Sequence, residues 1–471
     1  MTPIAQRTLL AAAFAFVGCG DPKPTAPPGP PRLVSDAEID GYSADTTRRL
    51  ADNASRRCDR PVLRGAALPG PAVADAAAFD RPTGNLATCI ASLDELGKTD
   101  PLEARTPALL DFERRCGIEF EGAIRKATAH RDACSAFQVG RPQPAAPLTW
   151  IRIAKVVGLR ARLRADSHDV VGALWSLWDA ARMYQDLSRG HATLLTSMIG
   201  TAATDIVVEH ARAIVEAAPA LPAGALDELT AALDRLLATE PGFTDVLAGD
   251  VDQMAVIAIA PLRPDDAMIR RAAPATKPGK PDQPPIATTS FGDPRDDQAI
   301  GLVVIATLRA SLATACPTDA TFRACSQGLA QLARDGEARA KGNTDLAKLY
   351  RTLVARAYEP TAEAAEAARL SIRGTIVDVL ASVAPPAFEN FAEKRAGAYA
   401  RLAALRLQLE VARAKRCPTT GELDTAPYAA LRSPRLLGEP LVVTSANAGL
   451  GIAPPRWMKR TKLAWQIRCP K

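Results

Sequence analysis

The sequence predicts a mainly α fold: antiparallel helical hairpins forming an irregular, solenoid-like bundle, stapled by disulfides and closed by a small irregular β-containing C-terminal tail. Three observations carry this expectation. Aromatic residues make up only 5% of the 471 residues while apolar residues make up 47%, and abundant Ala, Leu, Arg and Glu favour helices over sheets. Apolar residues then recur at spacings of three and four over long stretches, the period of a helix buried on one face. Finally, eight cysteines are spread from Cys58 to Cys469, an even set that in an exported chain reads as a disulfide framework.

Export is read from the first residues. Arg7 is the only early charge, and Thr8 to Gly18 is apolar; this is a positive n-region and an h-region of signal-peptide length, too short for the roughly 20 residues that span a bilayer. The stretch ends Phe16-Val17-Gly18-Cys19, which resembles the lipobox of bacterial lipoproteins: usually Leu, a small residue, Gly or Ala, then Cys. Phe16 stands where Leu is usual. The resemblance implies a signal peptide over 1–18, cleavage before Cys19, and diacylglycerol thioether-linked to that cysteine, with a second acyl anchor making membrane attachment stable. An ordinary secretory signal with an incidental cysteine is the alternative. Residues 19–33 follow as lipidated Cys and tether, the piece after Cys19 reading GDPKPTAPPGPPR. About twelve polyproline residues at about 3.1 Å each would lift a domain on the order of 35 Å from the bilayer. Gly20 in place of an acidic residue leans, by analogy with lipoprotein sorting, towards the periplasmic side of the outer membrane.

An N-terminal helical domain is expected over 34–270. Ser35-Asp36 precede a first helix to about Arg57; Cys58 to Asp80 holds Pro61, Gly65 and Pro69-Gly70-Pro71 and reads as irregular. Helical spacing returns near 102–115 and 119–133, and a Pro-rich piece from Gln138 to Pro147 separates these from a regular run, Trp150 to Ala217. Within it, Asp166-Ser167-His168-Asp169 supplies turn and N-cap chemistry, and Leu174, Leu177, Ala181, Tyr184 and Leu187 share one face. The stretch LRARLRADSHDVVGALWSLWDAARMYQDL resembles one tetratricopeptide-type helical hairpin, with Ala173 as the small residue of its second helix; a second copy is not evident. Helices are expected at 222–238 and 241–260. Residues 271–297, RAAPATKPGKPDQPPIATTSFGDPRDD, read as a Pro-rich loop or linker. A C-terminal helical region, 298–416, carries helices at about 298–314, 321–339, 343–358, 360–382 and 386–416, and a basic, Cys-closed tail, 417–471, carries strand-like pieces at 440–444 and 463–467. The long helix followed by a small β segment resembles the helix-plus-sheet form of pseudopilin-like domains, without an apolar pilin-type helix at the mature N-terminus. Taken whole, the chain resembles the Ala-rich helical lipoproteins of bacteria, a likeness that implies compartment and fold class and no activity.

Setting Cys19 aside leaves Cys58, Cys89, Cys116, Cys134, Cys316, Cys325, Cys417 and Cys469. Eight cysteines allow 105 connectivities. The simplest pairs sequence neighbours: 58–89, 116–134, 316–325 and 417–469. Buried free thiols are the alternative. No Cys-x-x-Cys or Cys/His spacing suits zinc, so neither metal nor cofactor is expected.

Catalytic signatures are missing: no Gly-x-Ser-x-Gly, no His-Glu-x-x-His, no phosphate loop. His130, His168, His191 and His210 read as surface or cap residues, Ser188 and Ser197 near His191 as ordinary helix serines, and no catalytic residue is assigned. Asp250 and Asp252, Asp265-Asp266, and Asp293 with Asp296-Asp297 lack calcium-loop spacing. Charge is uneven, however. From Phe391 to Lys471 fifteen Lys or Arg stand against five Asp or Glu, a net of about +10 (15 − 5). Arg456, Lys459, Arg460, Lys462 and Arg468, interleaved with Trp457 and Trp465, form a possible basic patch for anionic lipid, a cell-wall polymer or an acidic protein, or else a solvated face with its tryptophans packed inward. Nucleic acid is not expected outside the cytoplasm. The functional expectation is a lipid-anchored envelope protein acting as a non-catalytic protein-binding or scaffold module, with an envelope protein as partner and its oligomeric state open. The alternatives are an envelope hydrolase without a recognisable motif, or polyanion or membrane-surface binding through the basic tail.

Overall fold

A computed structural model describes the chain from Val34 to Cys469, apart from residues 57–58, 72–78, 80–81, 100–101, 103–104, 134–146, 190–191, 219–220, 261, 263–293, 341–361, 447–448, 462 and 464. The signal peptide, Cys19, the tether, residues 271–293 of the expected linker and the helix expected at 343–358 therefore lie outside the described residues; the linker's last four residues, 294–297, are instead helical, Pro294 opening the helix at a position where its missing N–H costs nothing. Within the described residues the fold is mainly helical, with a small antiparallel sheet near the C-terminus.

The first helix, α1 (Asp36–Arg56), starts where a capping box dictates. Glu38 N donates to Ser35 Oγ at 3.3 Å, and Ser35 N donates back to Glu38 Oε2 at 3.0 Å, so two otherwise orphaned donors satisfy each other's side chains. The stretch after it, expected to be irregular, contains β1 (Leu68–Pro71), paired in parallel with β2 (His130–Asp132). A helix that the sequence reading passed over, α2 (Gly84–Thr99), follows, and the two segments expected near 102–115 and 119–133 are one helix, α3 (Pro107–Thr128). Thr106 caps α3 by accepting from Leu109 N at 3.2 Å, and Pro107 occupies the first turn, where its missing N–H has no intrahelical partner to lose.

The regular run is a hairpin and a third helix: α4 (Pro147–Asp166), α5 (Val170–Asp186) and α6 (Leu194–Ala217). His168 turns the corner with φ +69°. Asp169 then caps α5, accepting from Gly172 N at 3.0 Å while Arg164 grips its other oxygen at 2.6 and 2.9 Å. Each of these helices packs on the other two, and α6 can approach α5 closely because Gly200 has no side chain: a Cβ there would lie 2.4 Å from the Tyr184 carbonyl oxygen. Then come α7 (Ala223–Ala238), α8 (Phe243–Ile259), α9 (Pro294–Ala315) and α10 (Phe322–Ala340).

The helices expected at 360–382 and 386–416 are a single element, α11 (Ala362–Ala414), which runs straight through Pro385 and Pro386. Two prolines remove two helix donors and crowd the preceding turn, a local cost of several kcal/mol by the usual figure of about 3 each. Tertiary packing outweighs it: α11 lies along α10, and also packs on α6, α7 and α9. One continuous apolar core consequently runs from Leu63 through Trp178, Leu233 and Leu405 to Ile467. Polar tips inside it find acceptors: Trp178 Nε1 donates to Leu229 O at 2.9 Å and Tyr399 Oη to Leu237 O at 3.1 Å.

A short helix, α12 (Tyr428–Arg432), leads into β3 (Val442–Ala446), β4 (Gly449–Ala453) and β5 (Trp465–Arg468), an antiparallel sheet ordered β3-β4-β5. Along β5 the residues alternate, Trp465 and Ile467 buried and Gln466 and Arg468 exposed, so one face packs inward. Trp465 Nε1 reaches Gln408 Oε1 of α11 at 3.2 Å. No helix among the described residues is long and apolar enough to cross a membrane.

Three disulfides among the described residues staple this bundle. Cys316–Cys325 closes the turn between α9 and α10, and Cys417–Cys469 ties the end of β5 to the segment after α11, as sequence neighbours suggested. The other two expected pairings, 58–89 and 116–134, are corrected: Cys89 bonds Cys116, with Cα atoms 5.5 Å apart. The reason is the unexpected α2. It lies against α3 and brings Cys89 to Cys116, whereas the sequence reading gave Cys89 no helix. Cys58 and Cys134 lie outside the described residues.

Candidate functional site

Among the described residues, the side chains the sequence offered serve packing, capping and ion pairing. His130 is buried, its Nδ1 3.1 Å from the Gly70 carbonyl. His168 makes the α4–α5 turn, and His191 lies outside the described residues. His210 packs on Gly158, whose missing Cβ would sit 2.0 Å from the ring; burial, then the nearby Arg162, holds its pKa down to about 4, so the ring is neutral at physiological pH. Ser188 and Ser197 do meet, Oγ to Oγ at 2.8 Å, but Ser197 also accepts from Arg395 Nη1 at 2.5 Å. A guanidinium is a permanent donor and cannot take a proton from a serine, so this contact is structural. The cavity beside it, lined by Gln185, Ser188, Glu240 and Arg395 among others, has about 10 Å³ of space, enough for one water.

Asp250 accepts from Leu194 N at 2.9 Å at the start of α6, and Asp252 pairs with Arg309 at 2.7 Å. The Asp265-Asp266 pair and Asp293 lie outside the described residues. Among the described residues no three His, Cys, Asp or Glu side chains gather as metal ligands would.

The densest buried chemistry is ionic, and the sequence reading missed it. Arg60 grips Asp186 with two nitrogens, at 3.0 and 2.7 Å, and donates to His130 O at 2.7 Å. Arg189 takes the same carboxylate at 2.9 Å and reaches Thr239 O. Arg182, wholly buried, donates to Thr239 Oγ1 at 2.8 Å, and desolvation lowers its pKa to about 9. Arg395 of α11 binds Glu240 at 2.8 Å and Pro241 O at 3.0 Å. These contacts knot five separate segments of chain together. Such clusters are distant in sequence and leave no pattern in it.

The same accounting resolves the basic C-terminal region. Half of its positive excess is neutralised by acidic residues from elsewhere: Arg395 by Glu240, Arg401 by Asp205, Arg406 by Asp234, Arg413 by Asp227 and Arg468 by Glu216. Arg416 and Arg432 pair locally with Glu422 and Asp424. Of the expected patch, Arg468 is thus exposed but paired, and Lys462 lies outside the described residues. Arg456, Lys459 and Arg460 remain: exposed, within five residues of one another, and without an ion pair among the described residues.

These three cations sit on a turn that the fold grips firmly. Glu393, buried on α11, turns its carboxylate to the backbone, accepting from Arg460 N and from Thr461 N, the latter at 3.0 Å. Thr461 Oγ1 donates to Glu393 O at 3.3 Å, and Met458, inside the turn, is buried. Gly397, one helical turn further along, leaves room: a Cβ there would lie 2.9 Å from Thr461 Cγ2. Trp457, between Arg456 and Lys459 in sequence, is half-buried against the core, its Nε1 shielded from water and without an acceptor among the described residues, whereas Trp465 packs wholly inward. The arrangement can present fixed positive charge to an anionic surface. Neither a protein-family model, nor a curated protein, nor a solved structure matches this chain.

Proposed function

We propose that this chain is an exported lipoprotein, cleaved before Cys19, anchored by acyl chains on that cysteine, and working in the cell envelope as a non-catalytic scaffold or protein-binding module. The three disulfides among its described residues mark an extracytoplasmic protein, since cytosolic thiols are kept reduced; that is the observation on which the compartment rests. The lipobox-like Phe16-Val17-Gly18-Cys19 and the Pro-rich segment behind it supply the anchor and spacer. The non-catalytic reading is supported by how the buried ionisable groups are used: Asp186, Glu240 and Asp252 are each held by arginine in contacts that join segments distant in sequence, rather than converging on a shared cleft as catalytic groups do.

In-cell crosslinking of the tagged protein, followed by identification of what is captured, tests the scaffold reading. A recurrent envelope protein on the wild type, lost with Cys19→Ser, is the expected result. A membrane-held protein with no recurrent partner, together with hydrolysis of an envelope polymer by the purified chain, would replace the scaffold with the hydrolase alternative.

A further inference from the structure

We propose that the turn carrying Arg456, Lys459 and Arg460 is a docking surface for anionic phospholipid headgroups, so that the folded domain lies against the membrane that holds its anchor. The inference rests on the lipid-anchor proposal above and adds to it the class of molecule that the domain itself meets.

Three features point to this use. First, the three cations are grouped on one turn and left over after an extensive pairing of the region's arginines; Lys394 and Lys415, also exposed without an ion pair among the described residues, stand apart on or just after α11. Every other described arginine from Arg395 to Arg468 except Arg435 is matched to a carboxylate, and Arg435 donates to the Glu240 carbonyl. Second, the turn is fixed. The buried Glu393 carboxylate is occupied by two backbone N–H groups, so it positions the loop instead of pairing with its side chains. Third, an indole stands between the cations in sequence, and tryptophan beside basic residues suits the boundary where headgroups meet water.

Chain length favours lipid over a soluble polyanion or an acidic protein. Only fourteen residues, 20–33, separate Cys19 from the first described residue. Whatever conformation they take, they reach at most about 50 Å. An acylated Cys19 therefore holds Val34, and with it the folded domain, within that distance of the headgroups, so a contact too weak to recruit a free protein can become populated.

The test uses the full mature chain with Cys19→Ser, which carries no acyl group and so reads the turn alone. Its partition onto vesicles of mixed phosphatidylglycerol and phosphatidylcholine is compared with pure phosphatidylcholine, by co-sedimentation at low and physiological salt. Binding to the anionic vesicles, weakening as salt rises, is the expected result. A basic residue near an anionic surface is worth about fivefold in partition, so Arg456→Gln/Lys459→Gln/Arg460→Gln should lower it about 100-fold. Arg416→Gln, an exposed arginine already paired with Glu422, should change it little. Far-UV circular dichroism confirms that each variant is folded. The triple variant binding as well as its parent, or equal binding to both vesicle types, overturns the proposal. Tighter salt-matched binding to soluble polyglutamate than to vesicles also overturns it, in favour of an acidic protein. Failure of the anchor reading is a separate result, seen as an unacylated Cys19 in cell-derived protein, and it leaves the vesicle measurement unaffected.

Discussion

Arg395→Met should be among the most damaging single substitutions in the chain. Arg395 is 2% exposed and its partner Glu240 8%. Its guanidinium also donates to Ser197 Oγ and Pro241 O, so one side chain joins α11, α6 and the segment between α7 and α8. Methionine fills similar space but leaves the Glu240 carboxylate buried without its counter-charge. Removing one partner of a buried pair costs about 3–5 kcal/mol, a factor of roughly 10² to 10³ or more in the folding equilibrium. The double variant Arg395→Met/Glu240→Gln removes both charges and should recover much of that loss, because the penalty belongs to the stranded carboxylate rather than to the missing contact. Urea unfolding followed by the fluorescence of the buried Trp150, Trp175 and Trp178 reads both. A single variant within about 1 kcal/mol of wild type, or a double variant no better than the single, would refute the reasoning.

Three further outcomes follow from other parts of the fold. Gly328→Ala places a Cβ 1.8 Å from the Ala315 carbonyl oxygen, a backbone contact that cannot swing aside; a loss of about 1–3 kcal/mol or more is expected, measured by the same urea midpoint, and unchanged stability would contradict the α9–α10 packing. Burial pushes Asp250 up to about 6 against the opposing Leu194 N–H bond. A carboxyl whose folded pKa exceeds its unfolded value contributes stability below about pH 4 that is lost as pH rises through about 6. Asp250→Asn should thus flatten the melting temperature between pH 4.5 and 7.5 relative to wild type, and an unaltered slope would remove Asp250 as its source. Non-reducing peptide mapping should recover Cys89 linked to Cys116 and Cys417 to Cys469. Recovery of Cys89 linked to any other cysteine would contradict the packing of α2 on α3. Breaking Cys417–Cys469, a closure of 52 residues, should cost about 4 kcal/mol in the chain-entropy model.

Where the sequence was legible, a local signal agreed with the packing. Ser35-Asp36 announced α1, Asp169 announced α5, and the stripe from Leu174 to Leu187 marked a face that is indeed buried. The helix α2 was overlooked although Leu86, Ile90 and Leu93 carry its spacing, because its Gly84 start and the Pro-rich stretch before it resemble loop. The unbroken α11 was not legible at all: Pro385-Pro386 is a local stop, and only the long contact with α10 overrides it. Strand β4 was hidden by Gly449 and Gly451, which weaken strand propensity; Gly449 is there because the Ile467 carbonyl oxygen would lie 2.2 Å from any Cβ. The basic patch shows the same limit. Net charge along the chain overstated it, since Asp205, Glu216, Asp227, Asp234 and Glu240 neutralise its arginines from nearly two hundred residues away.

The most direct test of the central claim is mass spectrometry of the N-terminal peptide of the protein recovered from the membrane fraction of producing cells. The account predicts a peptide that begins at Cys19 and carries the added mass of diacylglycerol on its sulfur. A mature chain that begins at another residue, or an unmodified Cys19, would contradict it.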